Sequence, residues 1–372
     1  MKILMNAMSA YRGGILTYTQ TLREKFDRAG IDATVALPKG SHIAGGDSAV
    51  TMDVAKFSPF QRIIWEQIIW RRYVKSSSAN ILFSSANFAL LNCPIPQLLL
   101  MREGGLFNPF YIQKVFPTLG PRVRALTRVR RYFMMQSIKA ATVVMLPSET
   151  LYDWIRAYCP ELEDKAVVNT YGINMGRFTP QPPKQMTATG PLRLLYVSVY
   201  YPHKDPETLN RAVQKLRQEG IETTAHITMT EDEFKPWEDG ANDYRSLKHG
   251  ESEGYLTLKP VDRDDLPRTY GNYDIFIFPS VSETFGFPLA EAMASGLPVI
   301  AADSLINREI CGPAALYYPS FDSDTLAERI KELRARPDLY DWLRAKGLER
   351  AQERFDMTNH FDRLVSILQR MA

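Results

Sequence analysis

Two glutamates with seven residues between them, Glu283 and Glu291, are the first candidates for chemistry in this sequence. Residues 274–278 predict a strand, and the polar loop after it carries Glu283. Gly286 lets the backbone turn without a clash, and Pro288 suits the first turn of a helix that contains Glu291. The free N–H groups at such a helix start favour a diphosphate, and the carboxylates can accept hydrogen bonds from hydroxyl groups on either side of it. The pair alone also fits carboxylates that only stabilise the helix dipole.

The segment around both glutamates reads FPSVSETFGFPLAEAMASGLPVIA. It closely resembles the donor-site signature of retaining glycosyltransferases of family 4, in which a Glu, seven residues and a second Glu lie within F-G-x-P-x-x-E-A-M-A-x-G-x-P-V. Every position of that signature is matched here. The resemblance implies that Glu283 lies by the transferred sugar and that Glu291 holds the nucleotide ribose. It also implies that the backbone amides of Thr284, Phe285 and Gly286 approach the sugar and the phosphates.

The fold class follows from length and from this resemblance. A chain of 372 residues predicts two domains. The resemblance implies the α/β fold called GT-B, with two Rossmann-like α/β domains whose parallel sheets face a central cleft. The predicted acceptor-side domain is 1–172 plus a C-terminal helix at 357–372, and the nucleotide-sugar donor-binding domain is 192–356. Residues 173–191 are rich in proline, glycine and threonine and predict a linker.

Two positions in the first domain are further site candidates. Gly13 and Gly14 separate the first predicted strand from its helix; such a pair is usually only a turn, but the resemblance implies that it approaches the donor diphosphate. The predicted strand 96–101 ends in Arg102 and Glu103, where many family members have a histidine. Arg102 could bind an acceptor phosphate or carboxylate and Glu103 could orient an acceptor hydroxyl. Equally, the two side chains could pair with each other.

In the second domain, Lys204 precedes a predicted helix that Asp205 caps and Pro206 begins, which places its ammonium group where a phosphate would bind. The resembled family has Arg-x4-Lys here, so Lys204 falls on the lysine and Val199 on the arginine. Lys204 and the helix amides are therefore expected to stabilise the leaving diphosphate. The acidic stretch 231–254 predicts a loop-like insertion.

Charge is uneven along the chain. The formal net charge is +3, but residues 56–139 contain thirteen basic residues against two glutamates. Residues 122–139 interleave arginines with apolar residues at helical spacing. This segment predicts either a solvated basic helix face or a surface for anionic lipid headgroups or a phosphate-bearing acceptor. No nucleic-acid partner is expected.

Composition also bears on compartment and cofactors. The three cysteines form no paired motif, the N-terminus does not read as a signal peptide, and no apolar run reaches the length of a spanning helix. We therefore expect a cytoplasmic protein that can work at the inner face of a membrane. Asp322 and Asp324 have D-x-D spacing, but we interpret them as a helix start. No cofactor and no required metal is expected beyond the nucleotide-diphosphate sugar, which is a substrate.

The predicted function is transfer of a hexosyl group from a nucleotide-diphosphate sugar to a hydroxyl acceptor, plausibly a lipid-linked or cell-envelope glycan. The resemblance implies retention at the anomeric carbon by a front-face substitution, in which the departing phosphate helps to deprotonate the acceptor. An epimerase or hydrolase acting on nucleotide sugars is one alternative. A non-catalytic scaffold that binds sugar nucleotides is the other, because fold alone does not separate these functions.

Overall fold

The computed structural model describes residues 1–11, 13–41, 43, 48–54, 56–180, 190–237 and 240–372. It divides into two compact units. Unit 1 comprises Met1–Thr170 with His360–Ala372, and unit 2 comprises Tyr171–Asn359. Residues 181–189 of the predicted linker lie outside the described residues.

Unit 1 is built on a seven-stranded parallel sheet with the order β3-β2-β1-β4-β5-β6-β7. The central strands are almost entirely buried, as expected when helices cover both faces of a parallel sheet, whereas the two strands at its edges are mostly half-buried. The central strands are held in register by pairs such as Met5↔Phe83. The strands are β1 (Lys2–Asn6), β2 (Asp32–Pro38), β3 (Ala49–Met52), β4 (Ile81–Ser84), β5 (Gln97–Leu100), β6 (Val143–Leu146) and β7 (Ala166–Val168).

The helices of unit 1 connect these strands by crossovers. Between α2 and α3 the helix widens into a π-helical turn, Glu66–Trp70, and a second π-helical turn, Tyr111–Val115, precedes α4. Short 3-10 turns lie at Phe116–Thr118 and Pro160–Leu162. The α-helices are α1 (Gly13–Arg28), α2 (Pro59–Trp65), α3 (Arg71–Ser76), α4 (Pro121–Ala140) and α5 (Glu149–Arg156).

Unit 2 has a six-stranded parallel sheet with the order β10-β9-β8-β11-β12-β13. Strands β8 and β11 lie next to each other, and Leu195 is paired with Phe276. The strands are β8 (Leu192–Tyr196), β9 (Thr223–Ile227), β10 (Leu256–Leu258), β11 (Ile275–Phe278), β12 (Val299–Ala302) and β13 (Ala315–Tyr318).

Helices again cover the sheet of unit 2. Additional 3-10 turns are Met175–Arg177, Pro202–Lys204 and Gly312–Ala314. The helices are α6 (Pro206–Gln218), α7 (Glu231–Phe234), α8 (Gly240–Ser252), α9 (Leu266–Gly271), α10 (Phe287–Ala294), α11 (Leu305–Cys311), α12 (Ser323–Ala335) and α13 (Pro337–Arg354), followed by α14 (Met357–Met371).

The prediction of a loop over 231–254 is wrong, because α7 and α8 occupy most of it. Thr230 and Glu233 form a capping box that starts α7. Phe234 and Leu247 are buried and provide the apolar contacts that hold the two helices on the unit. The many charged side chains on the solvent side of these helices obscure the helical spacing of the buried apolar residues in the sequence.

The last helix, α14, belongs mostly to unit 1, where it packs against α1. The ring of Phe361 lies edge-on to Phe26 with 5.2 Å between centroids. His360 is fully buried, and its two ring nitrogens lie 2.9 Å from the hydroxyl of Tyr18 and 2.9 Å from the carbonyl of Thr170. Burial lowers the pKa of His360 to about 4, so the imidazole is neutral at physiological pH.

Candidate active site

The two segments that follow β8 and β11 form the centre of the candidate site. The chain leaves β8 towards β9 on one side of the sheet and leaves β11 towards β12 on the other. In open α/β sheets, ligands bind beyond the carboxyl ends of strands at such a switch in strand order. The predicted residues Lys204 and Glu283 follow these two strands.

Lys204 and Glu283 form an ion pair in which Nζ lies 2.5 Å from Oε1. The side chains are only 12% and 13% exposed, so both charges are largely withdrawn from water. The hydroxyl of Tyr196 donates to the Lys204 carbonyl at 2.7 Å. The N–H of Val281 donates to the carbonyl of His203 at 3.0 Å. These backbone contacts fix both loops and thereby set the geometry of the ion pair.

Two titratable neighbours of Lys204 carry less charge than their residue types suggest. Asp205 adopts a left-handed backbone conformation, φ +46°, and its carboxylate caps α6 by accepting from the N–H of Thr208 at 3.3 Å. Burial raises the pKa of Asp205 to about 7. Burial, together with the charge of Lys204, lowers the pKa of His203 to about 4. Near pH 7 the carboxyl group is therefore partly protonated and the imidazole is neutral, and Lys204 dominates the local charge.

The loop that carries Glu283 is anchored by aromatic packing. Phe285 is buried and lies edge-on to Phe287 and Phe355, with centroids 5.0 and 5.4 Å apart. Gly286 has φ +78°, and a Cβ there would lie 3.2 Å from a methyl carbon of Leu289. Glycine is therefore the residue that permits this turn into α10. The predicted role of Phe285 and Gly286 through their amides stays a prediction, as does that of the half-buried Thr284.

Glu291 lies one turn into α10, and its carboxylate accepts a hydrogen bond from the hydroxyl of Tyr270 at 2.9 Å. Burial raises the pKa of Glu291 above its ordinary 4.5, while the Tyr270 hydrogen bond and the charges of Arg263 and Arg177 oppose that rise. Arg177 also donates to the Arg263 carbonyl at 3.0 Å and to Asp264 at 2.8 Å. The Glu291 carboxylate therefore lies between a hydrogen-bond donor, Tyr270, and the positive charges of Arg263 and Arg177.

No sequence signal singles out Tyr270, Arg263 or Arg177 as neighbours of Glu291. Tyr270 precedes Glu291 by twenty-one residues, and its hydroxyl contact depends on how α9 packs. The spacing of these residues follows no motif. Only the three-dimensional structure identifies them as neighbours of this candidate residue.

The candidates in unit 1 lie at the carboxyl ends of β1 and β5. Gly13 and Gly14 are the first two residues of α1, and Gly14 is exposed. Their predicted contact with a donor stays a prediction. Like the segments after β8 and β11, the turn after β1 lies at a switch in strand order, since β1 is flanked by β2 and β4.

Arg102 and Glu103 are positioned by Asn87, which has φ +64°. Its side-chain oxygen accepts hydrogen bonds from the N–H of Arg102 at 2.5 Å and of Glu103 at 3.0 Å. The guanidinium of Arg102 lies over the ring of Tyr18, 6.0 Å from its centroid. Glu103 forms an ion pair with Arg130 of α4 at 2.9 Å. Glu103 is thus held by an ion pair to α4, the helix that carries the interleaved arginines.

The D-x-D spacing has a structural explanation. Asp322 caps α12 by accepting from the N–H of Thr325 at 2.9 Å, and Asp324 pairs with Lys215 at 2.8 Å. These contacts agree with the interpretation of Asp322 as a helix start. Among the described residues, no group of three or more His, Cys, Asp or Glu side chains is arranged to hold a metal ion.

Comparison with known proteins finds a family match within the second half of the chain. Residues 178–350 match the family described as Glycosyl transferases group 1. The O-antigen chain mannosyltransferase B of Escherichia coli is 29% identical over 160 residues, which are 43% of this chain and 41% of that protein. A D-inositol 3-phosphate glycosyltransferase of Xylanimonas cellulosilytica is 28% identical over 182 residues, 45% of this chain and 42% of that protein. These matches span less than half the length of either relative.

Solved structures resemble this chain over its whole length. Sucrose-phosphate synthase from Thermosynechococcus elongatus superimposes with a TM-score of 0.80 at 17% identity, over 100% of this chain and 99% of that one. HepE of Anabaena, in complex with UDP and glucose, superimposes with a TM-score of 0.75 at 16% identity, over 99% of each chain. The fold is GT-B, which confirms the predicted fold class.

The ion pair leads to a prediction about stability. Lys204→Met and Glu283→Gln should each lower the free energy of unfolding by roughly 3 kcal/mol, because each leaves one withdrawn charge without its partner. The double variant should lose at least about 1 kcal/mol less than the sum of the single variants. Urea unfolding of the four proteins measures this coupling.

The exposed pair of Lys215 and Asp324 provides the control, with Lys215→Met and Asp324→Asn. Its side chains are 33% and 77% exposed, so the coupling should be at most about 1 kcal/mol. Additive losses for Lys204 and Glu283 would contradict a strong mutual dependence.

Proposed function

We propose that this protein is a retaining glycosyltransferase of family 4, which moves a hexosyl group from a nucleotide-diphosphate sugar to a hydroxyl of a glycan or lipid-linked acceptor. The observation that carries the proposal is the ion pair between Lys204 and Glu283 at the switch in strand order, with Glu291 one turn into the helix that follows Glu283. The group 1 family match over residues 178–350 supports it.

In this proposal Lys204 has two partners in turn. In the free protein its ammonium group neutralises Glu283, so a carboxylate can lie at an anion site without repelling the ligand. When a donor binds, the same ammonium group and the backbone amides of the segment Thr284–Gly286, which leads into α10, face the diphosphate. Glu283 then accepts hydrogen bonds from hydroxyl groups of the sugar. No metal is assigned a role.

The proposed reaction breaks the bond between the anomeric carbon and the diphosphate oxygen and forms a bond from that carbon to the acceptor oxygen on the same face. The acceptor proton passes to the departing phosphate oxygen. Lys204 and the amides stabilise the charge that develops on the leaving diphosphate, which is the largest contribution assigned to the protein. We assign Arg102 to an anionic group of the acceptor and Glu103, held by Arg130, to orientation of its hydroxyl.

Glu291 is assigned to the ribose, and its environment leads to a pH prediction. The ionised carboxylate accepts ribose hydroxyls, and its pKa is raised above 4.5 by burial. Nucleotide affinity should therefore fall as the pH is lowered through this raised pKa. Glu291→Gln should bind nucleotide about 10- to 100-fold more weakly, as expected for losing a charge-assisted hydrogen bond, without this pH dependence.

Isothermal titration with UDP and with GDP between pH 5 and pH 8 measures both effects. Tyr270→Phe is the matched control: it keeps the carboxylate but removes a hydrogen bond that lowers its pKa, so the fall in affinity should move to higher pH. Identical pH profiles for the parent protein and Glu291→Gln would contradict the assignment.

A second prediction concerns turnover. Glu283→Gln should lower the rate of glycosyl transfer at least about 100-fold, because its charge is proposed to act near the reacting carbon, while nucleotide affinity changes little. The measurement is incubation with nucleotide sugars and candidate glycan acceptors, with products separated by mass. Glu222→Gln is the control, since this exposed glutamate precedes β9 at the other end of the same sheet.

The products also separate the rival functions. A glycosylated acceptor supports transfer. A free monosaccharide or an epimerised donor as the sole product would favour a hydrolase or an epimerase, and nucleotide binding without any product would favour a scaffold.

We further propose that α4 brings the enzyme to a membrane that carries the acceptor. Of its twenty residues, Met134, Ser137 and Ile138 in the second half are buried. The first half exposes apolar side chains, and Leu126 is 61% exposed. Basic residues surround them, and basic residues near an anionic surface contribute about 1 kcal/mol each. Among the described helices, none is both long and apolar enough to cross a membrane.

Cosedimentation with phosphatidylcholine vesicles, with and without anionic lipid, tests this proposal. Arg128 and Arg131 lie over the rings of Phe116 and Tyr158, so the variant is Arg122→Glu with Arg124→Glu, which leaves those contacts intact. Binding should need anionic lipid and should fall more than about tenfold in this variant. The double reversal Arg354→Glu with Arg370→Glu is the charge-matched control. Binding that ignores lipid charge, salt and the reversals would contradict the proposal.

A further inference from the structure

A small aromatic surface lies beside the ion pair in unit 2, at the carboxyl ends of β8 and β9. The ring of Tyr201 stacks on His203 with 5.5 Å between centroids and 15° between planes. The ring of Trp237 meets Tyr201 edge-on at 5.5 Å and 67°. Tyr201 is 42% exposed, and Val199 nearby in the chain is 53% exposed. These side chains present apolar surface on and beside the segment that carries Lys204.

This surface rests on a rigid base. Tyr200 is buried and stacks on Phe234 of α7 with centroids 3.9 Å apart. Its hydroxyl donates to Asp243 at 2.6 Å, and its N–H donates to Glu233 at 3.0 Å. The loop after β8 and the helices after β9 are thereby fastened to each other. An exposed ring held in this way loses little conformational freedom when a ligand stacks on it.

The surface is continuous with the candidate site. His203, on which Tyr201 stacks, accepts the N–H of Val281 through its carbonyl at 3.0 Å, and Lys204 is the next residue. Lys204 in turn contacts Glu283. Within the proposed donor site, Glu291 marks the ribose end and Glu283 the sugar end. Tyr201 is therefore connected, through His203 and Lys204, to the Glu283 end of the proposed site.

We infer that Val199, Tyr201 and Trp237 form a stacking surface for a pyranose ring of the acceptor glycan. Aromatic rings carry negative charge on their faces and so attract the C–H groups that line one face of a pyranose. His203 below Tyr201 is neutral at physiological pH, because burial lowers its pKa. The inference rests on the proposed function, since that function places a sugar at Glu283.

The size and surroundings of the surface favour a single sugar ring over a membrane or a partner protein. Two rings and one valine form a patch far smaller than the several hundred Å² typical of protein and membrane contacts. Lys235 and Asp232, both exposed, pair with each other on the adjacent α7 segment and make its border polar. A pyranose, with one apolar face and a rim of hydroxyls, matches an apolar patch with a polar border.

Saturation-transfer NMR tests the inference with defined probes. Methyl α-D-mannopyranoside and methyl α-D-glucopyranoside are titrated into the full chain with saturating UDP or GDP. Tyr201→Ala should reduce the transferred signal of the preferred glycoside at least fivefold, whereas Tyr201→Phe, which keeps the ring, should retain it. Trp237→Ala should reduce it to a lesser extent. Tyr132→Ala is the control, because Tyr132 is an exposed tyrosine on α4 of unit 1. Melting temperatures of all variants verify folding.

The outcomes distinguish this inference from the proposed function. Nucleotide affinity, measured by calorimetry, should be equal in the parent protein, Tyr201→Ala and Tyr201→Phe. A sugar signal that Tyr201→Ala leaves unchanged, or that the parent protein lacks, overturns the inference while nucleotide binding still supports the donor site. Loss of nucleotide affinity in Tyr201→Ala would also overturn it, since the ring would then hold the nucleobase. If neither nucleotide binds the parent protein, the proposed function fails, whatever the glycosides do.

Discussion

The ion pair between Lys204 and Glu283 is the interaction on which the rest of the candidate site depends. A site for a phosphate needs positive charge, whereas a site for a sugar gains from carboxylates. The two requirements conflict when the phosphate and the sugar belong to one ligand, because the carboxylate then lies close to the phosphate. In the proposed site both requirements are met, because the lysine follows β8 and the glutamate follows β11, on neighbouring strands of one sheet. Each charge compensates for the withdrawal of the other from water.

The residues around this pair serve the same balance. Asp205 supplies the cap of α6 but loses part of its charge to burial, and His203 stays neutral. Asp205 can therefore cap the helix while weakening the proposed anion site less than a fully ionised aspartate would. The charge of Glu291 is also set by its neighbours. Burial raises its pKa, and the hydrogen bond from Tyr270 and the charges of the nearby arginines oppose that rise.

Local patterns in the sequence were sufficient to predict the strand and helix around Glu283 and Glu291 and the cap of α12, while the fold class came from the resemblance of the segment around the two glutamates to a known family. They failed over 231–254, although Thr230 and Glu233 carry a capping-box signal, because acidic side chains obscured the buried Phe234. Contacts between distant residues had no sequence signal at all. Glu103 meets Arg130 across twenty-seven positions, and Tyr270 reaches Glu291 through the packing of α9. Helical spacing predicted α4 but not how much of it faces solvent.

The division of the chain has a consequence for the order in which the protein can form during synthesis. Unit 2 is one continuous stretch, whereas unit 1 takes its last thirteen residues, His360–Ala372, from beyond unit 2. A chain that emerges from the ribosome generally folds domain by domain from its N-terminus. Here Tyr18 and Phe26 of unit 1 pack against His360 and Phe361, which are synthesised only after unit 2. Unit 2 can therefore finish folding first, while the apolar face of α1 stays uncovered until α14 has been synthesised.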